Sequence, residues 1–317
     1  MPLRLLTSHY VYDTYVSHKI SDIKRVSRSD CPSFIFITDT HWGDNRKKSA
    51  DVVRHLLSET DIKRVFFGGD FETHVEQTKA DVIKVGKDFM KSFAFVQNGF
   101  YCAYGNHDNN SYEQSRNSEV LSENEVAEIL VTRHENDTYT QCTPFTYYFD
   151  VIEERSRYIV VNTGKRNLTA EEYDFIAKAL NSTGETYKII VIGHIWLEWN
   201  GIDHVPNQET MQLIGMFDAF NMSHTWKQYD FTKPHGHITL ILGGHVHNDR
   251  LKYTGSGIPI ITCNADCDDK ACGCKHYRYH PKEQCITVFC FDGEENINII
   301  RIGKESYNGL IKEIKKR

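Results

Sequence analysis

The run Ile238-Thr239-Leu240-Ile241-Leu242-Gly243-Gly244-His245-Val246-His247 joins an apolar segment to a polar tip, and this combination indicates how the chain folds. A near-continuous apolar segment, typical of a strand buried on both faces, ends at two glycines and a pair of histidines. The same order of apolar segment and polar tip occurs earlier in the chain. The earlier tips are Asp39-Thr40-His41, Gly69-Asp70, Gly105-Asn106-His107-Asp108 and Gly193-His194.

The segments before these tips have the composition of buried strands. They are Phe34–Ile37, Val65–Phe67, Tyr101–Tyr104 and Ile189–Ile192. Helical patterns at approximately Lys47–Glu59 and Thr78–Phe95 would supply the crossovers that parallel strands need. Because parallel strands end at the same edge, the pattern predicts an α/β fold that gathers its polar tips at the carboxyl edge of a sheet.

The tips carry a donor set suited to metal ions. Imidazole, carboxylate and amide groups favour divalent ions such as Mn, Fe or Zn. The candidates outnumber the four ligands of one tetrahedral zinc, so two ions fit better. If the Asp70 carboxylate bridges them, each ion receives four protein ligands and keeps positions open for water and substrate. The candidate ligands are Asp39, His41, Asp70, Asn106, His194, His245 and His247.

With these five tips in this order, residues 33–264 resemble the calcineurin-like metallophosphoesterase superfamily. The resemblance implies two face-to-face β-sheets flanked by helices, an αββα sandwich. It also implies a division of the ligands between two ions, with Asp70 as the bridge. Asp39, His41 and His247 would hold one ion, and Asn106, His194 and His245 the other.

The resemblance further implies a dinuclear phosphoester hydrolase. Two cations would lower the pKa of a shared water, and the resulting hydroxide would attack phosphorus in line. His107 would protonate the leaving oxygen or, with Asn106, contact the phosphate. Asp108 is expected to orient one of the imidazoles. Trp42 and Trp196, which directly follow ligand tips, are expected to border the cleft.

Departures from the family pattern narrow the choice of branch within the superfamily. The stretch Phe71–Val75 follows Gly69-Asp70 where protein Ser/Thr phosphatases have an Asp-Arg-Gly. Purple acid phosphatases have a metal-binding tyrosine shortly after Gly-Asp, where Glu72 or Thr73 stands in this chain. Both branches are therefore disfavoured. Asn45 and Arg46, near the start of the first crossover helix, are candidate phosphate contacts, although a solvated helix start explains them equally well.

The chain has nine cysteines, and four of them cluster as Cys263, Cys267, Cys272 and Cys274. A structural zinc is conceivable there, but the spacing lacks the Cys-x₂-Cys pairs of strong zinc motifs, so a reduced cluster or a disulfide is also open. The N-terminus has no apolar core of an export signal, and the odd cysteine count suits a reducing compartment, which predicts a cytoplasmic protein. No apolar run is long enough to suggest a membrane span.

The composition is that of a globular enzyme, with 317 residues, 40% hydrophobic and 25% charged. Because the ligands extend from Asp39 to His247, residues 1–317 are predicted to form a single metallophosphoesterase domain with a motif core at 33–264. Residues 265–317 would add the cysteine-rich loop and a hairpin, Cys285–Phe291 and Ile297–Ile302. That hairpin and another at Phe145–Val151 and Tyr158–Val161 are expected to complete the second sheet together.

The net charge of −6 argues against an extensive nucleic-acid surface. We therefore expect a small-molecule phosphoester or a nucleotide as substrate, with the choice between monoester and diester open, as is the oligomeric state. Two alternatives remain: a nuclease of the same superfamily, and a non-catalytic metal-binding scaffold on the same fold. A scaffold would be expected to lack some ligands or His107, and this chain has them all.

Overall fold

The computed structural model describes residues 2–41, 45–72, 78–111, 119–134, 138–165, 167–267, 284–294, 296–304 and 312–315, with the backbone alone for 2–11 and 45–46. Within these residues the α-helices are α1 (Pro2–Val26), α2 (Asn45–Glu59), α3 (Lys79–Ser92), α4 (Glu123–Ile129), α5 (Ala170–Asn181) and α6 (Gln208–Asn221). A short 3₁₀ turn spans Thr163–Lys165. No described helix is both long enough and apolar enough to cross a membrane.

The strands form two large sheets and two short hairpins. They are β1 (Ser33–Ile37), β2 (Val65–Phe67), β3 (Phe100–Cys102), β4 (Thr140–Thr143), β5 (Thr146–Val151), β6 (Ser156–Val160), β7 (Lys188–Ile192), β8 (Glu198–Trp199), β9 (His204–Val205), β10 (Thr225–Trp226), β11 (Tyr229–Asp230), β12 (His237–Gly243), β13 (Arg250–Tyr253), β14 (Pro259–Thr262), β15 (Cys285–Phe291), β16 (Ile297–Gly303) and β17 (Glu313–Ile314). The first sheet has the order β17-β16-β15-β1-β2-β3, and the second has the order β13-β14-β12-β7-β6-β5-β4.

The two sheets face each other across an aromatic core. Phe34 and Phe66 of the first sheet pack against Tyr158 of the second, with ring centroids 5.8 Å and 5.3 Å apart. Apolar residues on the outer faces pack against α1 to α4 on the first sheet and against α5 and α6 on the second. The α/β sandwich flanked by helices is therefore confirmed. Burial on both faces explains why these strands are apolar runs.

Two details of the predicted topology are wrong. The five strands that end in polar tips do not share one sheet, because β1, β2 and β3 lie in the first sheet and β7 and β12 in the second. The two hairpins are also separated. The β5–β6 hairpin extends the second sheet by a parallel pairing of β6 with β7, whereas the β15–β16 hairpin extends the first by an antiparallel pairing of β15 with β1. The β5–β6 hairpin thus pairs with the edge of β7 that its parallel neighbour β12 leaves free. The β15–β16 hairpin pairs with the edge of β1 that its parallel neighbour β2 leaves free.

Residues 1–32, which the sequence left unassigned, contain the amphipathic helix α1. Its buried residues Val16, Ile20 and Ile23 recur at helical spacing and belong to the outer core of the first sheet. The helix thus covers the side of the sheet to which β15 and β16 belong.

The cysteine cluster is described only in part. Cys263 is a buried thiol after β14, and Cys285, which opens β15, is buried as well. Cys272 and Cys274 lie outside the described residues, so a structural ion at this cluster stays a prediction.

Candidate metal centre

The predicted ligand tips share an unusual backbone conformation. Nine described residues other than glycine have a positive φ, and five of them are candidate ligands. Side chains in this left-handed region cost energy that the surrounding structure must supply, and such residues concentrate at functional sites. The five are Asp39 (φ 52°), His41 (38°), Asp70 (62°), His245 (70°) and His247 (50°).

Backbone hydrogen bonds between neighbouring tips hold these strained turns. The amide of Asp39 donates to the carbonyl of Gly69 at 2.9 Å, and that of His41 donates to the carbonyl of Asp70 at 3.1 Å. The tip after β12 joins the same network, because the amide of His245 donates to Asp39 Oδ2 at 3.0 Å. Tips from both sheets therefore meet at one point between them.

Two buried imidazoles are oriented by main-chain carbonyls. His41 Nδ1 lies 2.9 Å from the carbonyl oxygen of Glu72, and His194 Nδ1 lies 2.7 Å from that of Gly68. A carbonyl can only accept, so each Nδ1 carries a proton, and each Nε2, which faces the interior of the site, is the nitrogen left to bind an ion. This is the usual way in which a metal-ligating histidine is fixed.

Asp108 has a different position from the one the sequence suggested. Its carboxylate accepts backbone N–H bonds from Gly105 at 2.7 Å, Phe71 at 2.8 Å and Asp70 at 3.2 Å. It is fully buried and ties the Asp70 tip to the Asn106 tip. Asp108 therefore orients two loops rather than an imidazole.

The side chains form two adjacent donor groups, Asp39 with His41 and His247, and Asp70 with His194 and His245, and the donor atoms of each group lie within 4.8 Å of one another. In the first group, His247 Nε2 is 3.0 Å from His41 Nε2 and 3.2 Å from Asp39 Oδ1. In the second, His194 Nε2 is 3.1 Å from Asp70 Oδ2 and 3.1 Å from Asn106 Oδ1. Asp70 Oδ2 is also 3.9 Å from His41 Nε2, which places it between the groups.

This donor set fits two divalent cations. Nitrogen and oxygen donor atoms converge from buried and half-buried side chains, and borderline or hard ions accept both kinds of ligand. Burial by itself raises the pKa values of Asp39 and Asp70, but the surrounding histidines, His194 foremost, together outweigh it and hold both below their usual range. Burial likewise lowers the pKa of His194, yet Asp70 and Asp39 raise it to about 9. The site thus concentrates negative charge away from water and attracts positive charge.

His107 lies at the edge of the centre and outside both donor groups. Its backbone amide donates to Asp70 Oδ1 at 2.9 Å, and its Nε2 lies 4.0 Å from Asp70 Oδ2. Its ring meets the ring of His41 edge to face, with centroids 5.3 Å apart. Of Asn45 and Arg46 only the backbone, at the start of α2, is described, so contacts of their side chains lie outside the described part of the chain.

The tryptophan expectation was wrong for Trp196. This side chain is fully buried, and its Nε1 donates to the carbonyl of Leu242 at 2.9 Å, which ties the His194 tip to β12. Trp42 lies outside the described residues. A group that the sequence analysis missed is Glu198 on β8, whose Oε1 lies 3.7 Å from His245 Nε2. Its signal in the sequence is weak, because a single glutamate after an apolar stretch is common.

Fold and site together define a metal-dependent phosphoesterase. Residues 32–249 match the family model for calcineurin-like phosphoesterases, and the chain belongs to this family. It is therefore a metallophosphoesterase, an enzyme that hydrolyses phosphoester bonds. No curated protein sequence gives a significant match.

One solved structure supports the fold, and others are similar at lower TM-scores. A dimetal phosphatase from Danio rerio is similar with a TM-score of 0.53 and 10% sequence identity, over 89% of this chain and 97% of that one. Yfce, a phosphoesterase from E. coli, matches with a TM-score of 0.36 and 11% identity, over 90% of this chain and 100% of that one. The NAD nucleotidase of Haemophilus influenzae matches with a TM-score of 0.42 and 13% identity, over 90% of this chain and 60% of that one.

Proposed function

We propose that this chain is a dinuclear phosphoester hydrolase that acts on a small-molecule phosphoester or a nucleotide. One observation carries the proposal. Asp70 Oδ2 lies 3.1 Å from His194 Nε2 of the second donor group and 3.9 Å from His41 Nε2 of the first. A single carboxylate oxygen is thus within reach of both groups, as a bridging ligand must be.

The proposed ligands follow the two donor groups. When bound, two ions (Mn, Fe or Zn) supply the Lewis acidity that activates water for attack on phosphorus and offsets charge on the phosphate. Asp70 would serve both ions. Asp39, His41 and His247 would hold one ion, and Asn106, His194 and His245 would hold the other.

His107 is proposed as the proton donor to the leaving oxygen. Its position supports this role, because Asp70 Oδ1 fixes its backbone while its ring stays outside both donor groups. A positioned acid of this kind typically contributes ~10²- to 10⁴-fold to the rate. Asn106 and His107 are also proposed to contact the phosphate, as are Asn45 and Arg46 at the start of α2.

The substrate class rests on charge. A net charge of −6 opposes broad binding to a nucleic-acid backbone, which disfavours a nuclease. A cytoplasmic location is proposed as well, supported by the buried thiols of Cys31, Cys102 and Cys290, which lie outside any disulfide. A single domain over residues 1–317 is proposed because both sheets contribute tips to one site.

The test compares p-nitrophenyl phosphate with bis-p-nitrophenyl phosphate after chelation and re-addition of Mn²⁺. Asp70→Asn removes the bridging charge, and we expect metal-restored turnover in the native chain and none in this variant. Asp22→Asn is the matched control, because Asp22 is an exposed residue of α1 paired with Arg25. Undiminished turnover in Asp70→Asn would refute the two-ion site, and two bound ions without turnover of either ester would favour the scaffold. The faster ester indicates the substrate class.

A further inference from the structure

A sixth loop reaches the centre from the second sheet. Residues 162–165 follow β6, and Thr163 Oγ1 accepts the backbone N–H of Ile195, next to His194, at 2.9 Å. On its other side the loop touches the Asn106 tip, since a Cβ added at Gly164 would lie 2.1 Å from the carbonyl oxygen of Tyr104. The loop therefore lies between the tips that carry Asn106 and His194.

Asn162, the first residue of this loop, is fully buried. Its backbone N–H donates to Thr146 Oγ1 at 3.3 Å. Among the described residues, however, neither Oδ1 nor Nδ2 of its carboxamide has a hydrogen-bond partner. Burying an amide without partners costs stability, and such groups are rare in native proteins unless another requirement keeps them.

The strand register places Asn162 beside a proposed metal ligand. In the parallel pairing of β6 with β7, Val160 is opposite Ile192, and both pack in the core between the sheets. The pairing continues, because the amide of Val161 donates to the carbonyl of Ile192 at 2.8 Å. The two strands end at Val160 and Ile192, and continuation of the same register for two more residues sets Asn162 next to His194.

We propose that Asn162 is a positioning residue of the second donor group, and that its carboxamide hydrogen-bonds an oxygen bound there, either of water or of phosphate. Thr163 and Gly164 fix its distance from the His194 and Asn106 tips. The inference rests on the proposed function, because it requires an ion at the second group. It explains why an amide without a partner among the described residues occupies a buried position where leucine would have the same branched shape and no polar atoms.

The test is Asn162→Leu, measured by Mn²⁺ titration and by the melting temperature in chelator. We expect a melting temperature equal to or above that of the native chain, together with weaker binding of the second Mn²⁺ by about 10- to 100-fold, the usual effect of losing an outer-shell partner. If the oxygen belongs to phosphate, the weakening is seen in inhibition by inorganic phosphate instead. Asn162→Ala, which cannot overpack the site, should show the same loss.

Asn221→Leu is the matched control. The carboxamide of Asn221 is satisfied at the opposite end of the sheet, where it donates to the carbonyl of Ile238 at 2.9 Å and accepts from its amide at 2.8 Å. This variant should melt at a lower temperature and bind both Mn²⁺ ions normally.

A lower melting temperature for Asn162→Leu with native Mn²⁺ and phosphate affinities would overturn the inference. Native affinities in Asn162→Ala would do the same. If the native chain itself fails to bind two Mn²⁺ ions, the proposed function fails. If it binds two and hydrolyses esters but the Asn162 variants match it, only the inference fails.

Discussion

We expect that removal of the Asp108 carboxylate destabilises the two loops that carry Asp70 and Asn106. This carboxylate is fully buried and accepts three backbone N–H bonds, from Gly105, Phe71 and Asp70. In Asp108→Ala no side chain replaces it, and the three N–H groups stay in the interior. The loss is therefore a loss of fold stability as well as of site geometry.

The magnitude follows from two opposing terms. Each buried N–H left without an acceptor costs about 1–3 kcal/mol, so three of them cost roughly 3–9 kcal/mol. Against this, the carboxylate is itself expensive to bury, since burial and the charge of Asp70 raise the pKa of Asp108 to about 8. Relief of that penalty in the variant lowers both ends of this range, so we expect a net loss of about 2–5 kcal/mol, a large share of the ~5–15 kcal/mol typical of a folded protein.

Urea denaturation in chelator measures this loss directly. Asp218→Ala is a matched control, because Asp218 also accepts two backbone N–H bonds, from Gly255 and Ser256, each at 3.0 Å, but is only half-buried. Water can replace its carboxylate, so we expect a loss of about 1 kcal/mol there. An Asp108→Ala loss no larger than that of Asp218→Ala would show that the three buried N–H groups do not depend on the Asp108 carboxylate.

Three further variants test separate parts of the molecule. His107→Gln should lower turnover by ~10²- to 10⁴-fold, most for poor leaving groups, with two ions still bound by elemental analysis; loss of an ion would contradict its role as a proton donor. His247→Ala should reduce bound Mn²⁺ from two ions to one, and retention of both ions would show that His247 is not a required ligand of the first donor group. Asp249→Ala should cost about 3–5 kcal/mol in urea denaturation, because it leaves the buried Arg301 guanidinium, now 2.5 Å from Asp249 Oδ1, without its partner. A loss below about 1 kcal/mol would mean that Arg301 is satisfied by its other contacts.

The strands that end in ligand tips were predictable because strands buried on both faces have a recognisably apolar composition. Strands covered on both faces must be apolar along their whole length, so β7 and β12 are visible as runs of isoleucine, leucine and valine. The same apolar composition gives no indication of which strands lie next to them in the sheet. An all-apolar strand has no polar face to orient it, and nothing in the sequence of β1 or β7 indicates which edge of the strand will pair with a hairpin. The assignment of both hairpins to one sheet failed for this reason.

The candidate site was likewise predictable only in part from the sequence. Donor side chains such as Asp39 and His194 were found from residue type and order, and the structure brings them together. What orients them was not visible, because the acceptors for the two buried imidazoles are the carbonyls of Gly68 and Glu72. Every residue carries a carbonyl, so its use as an orienting group is set by tertiary geometry alone. Glu198 was missed because its proximity to His245 depends on the path of a loop.

Two sets of residues at this centre are unfavourable for folding, and both point to its chemistry. Glycine would adopt the left-handed backbone at Asp39 or Asp70 with less strain, as Gly69 does at φ 94°, whereas each other residue costs about 1–3 kcal/mol. Glycine, however, would supply no donor atom. Asn162 presents the same conflict in the interior, where an apolar side chain would favour folding more than an amide that finds no partner in the described part of the chain. Since folding alone does not explain either choice, we expect that changes which favour the fold at these positions impair the binding of ions.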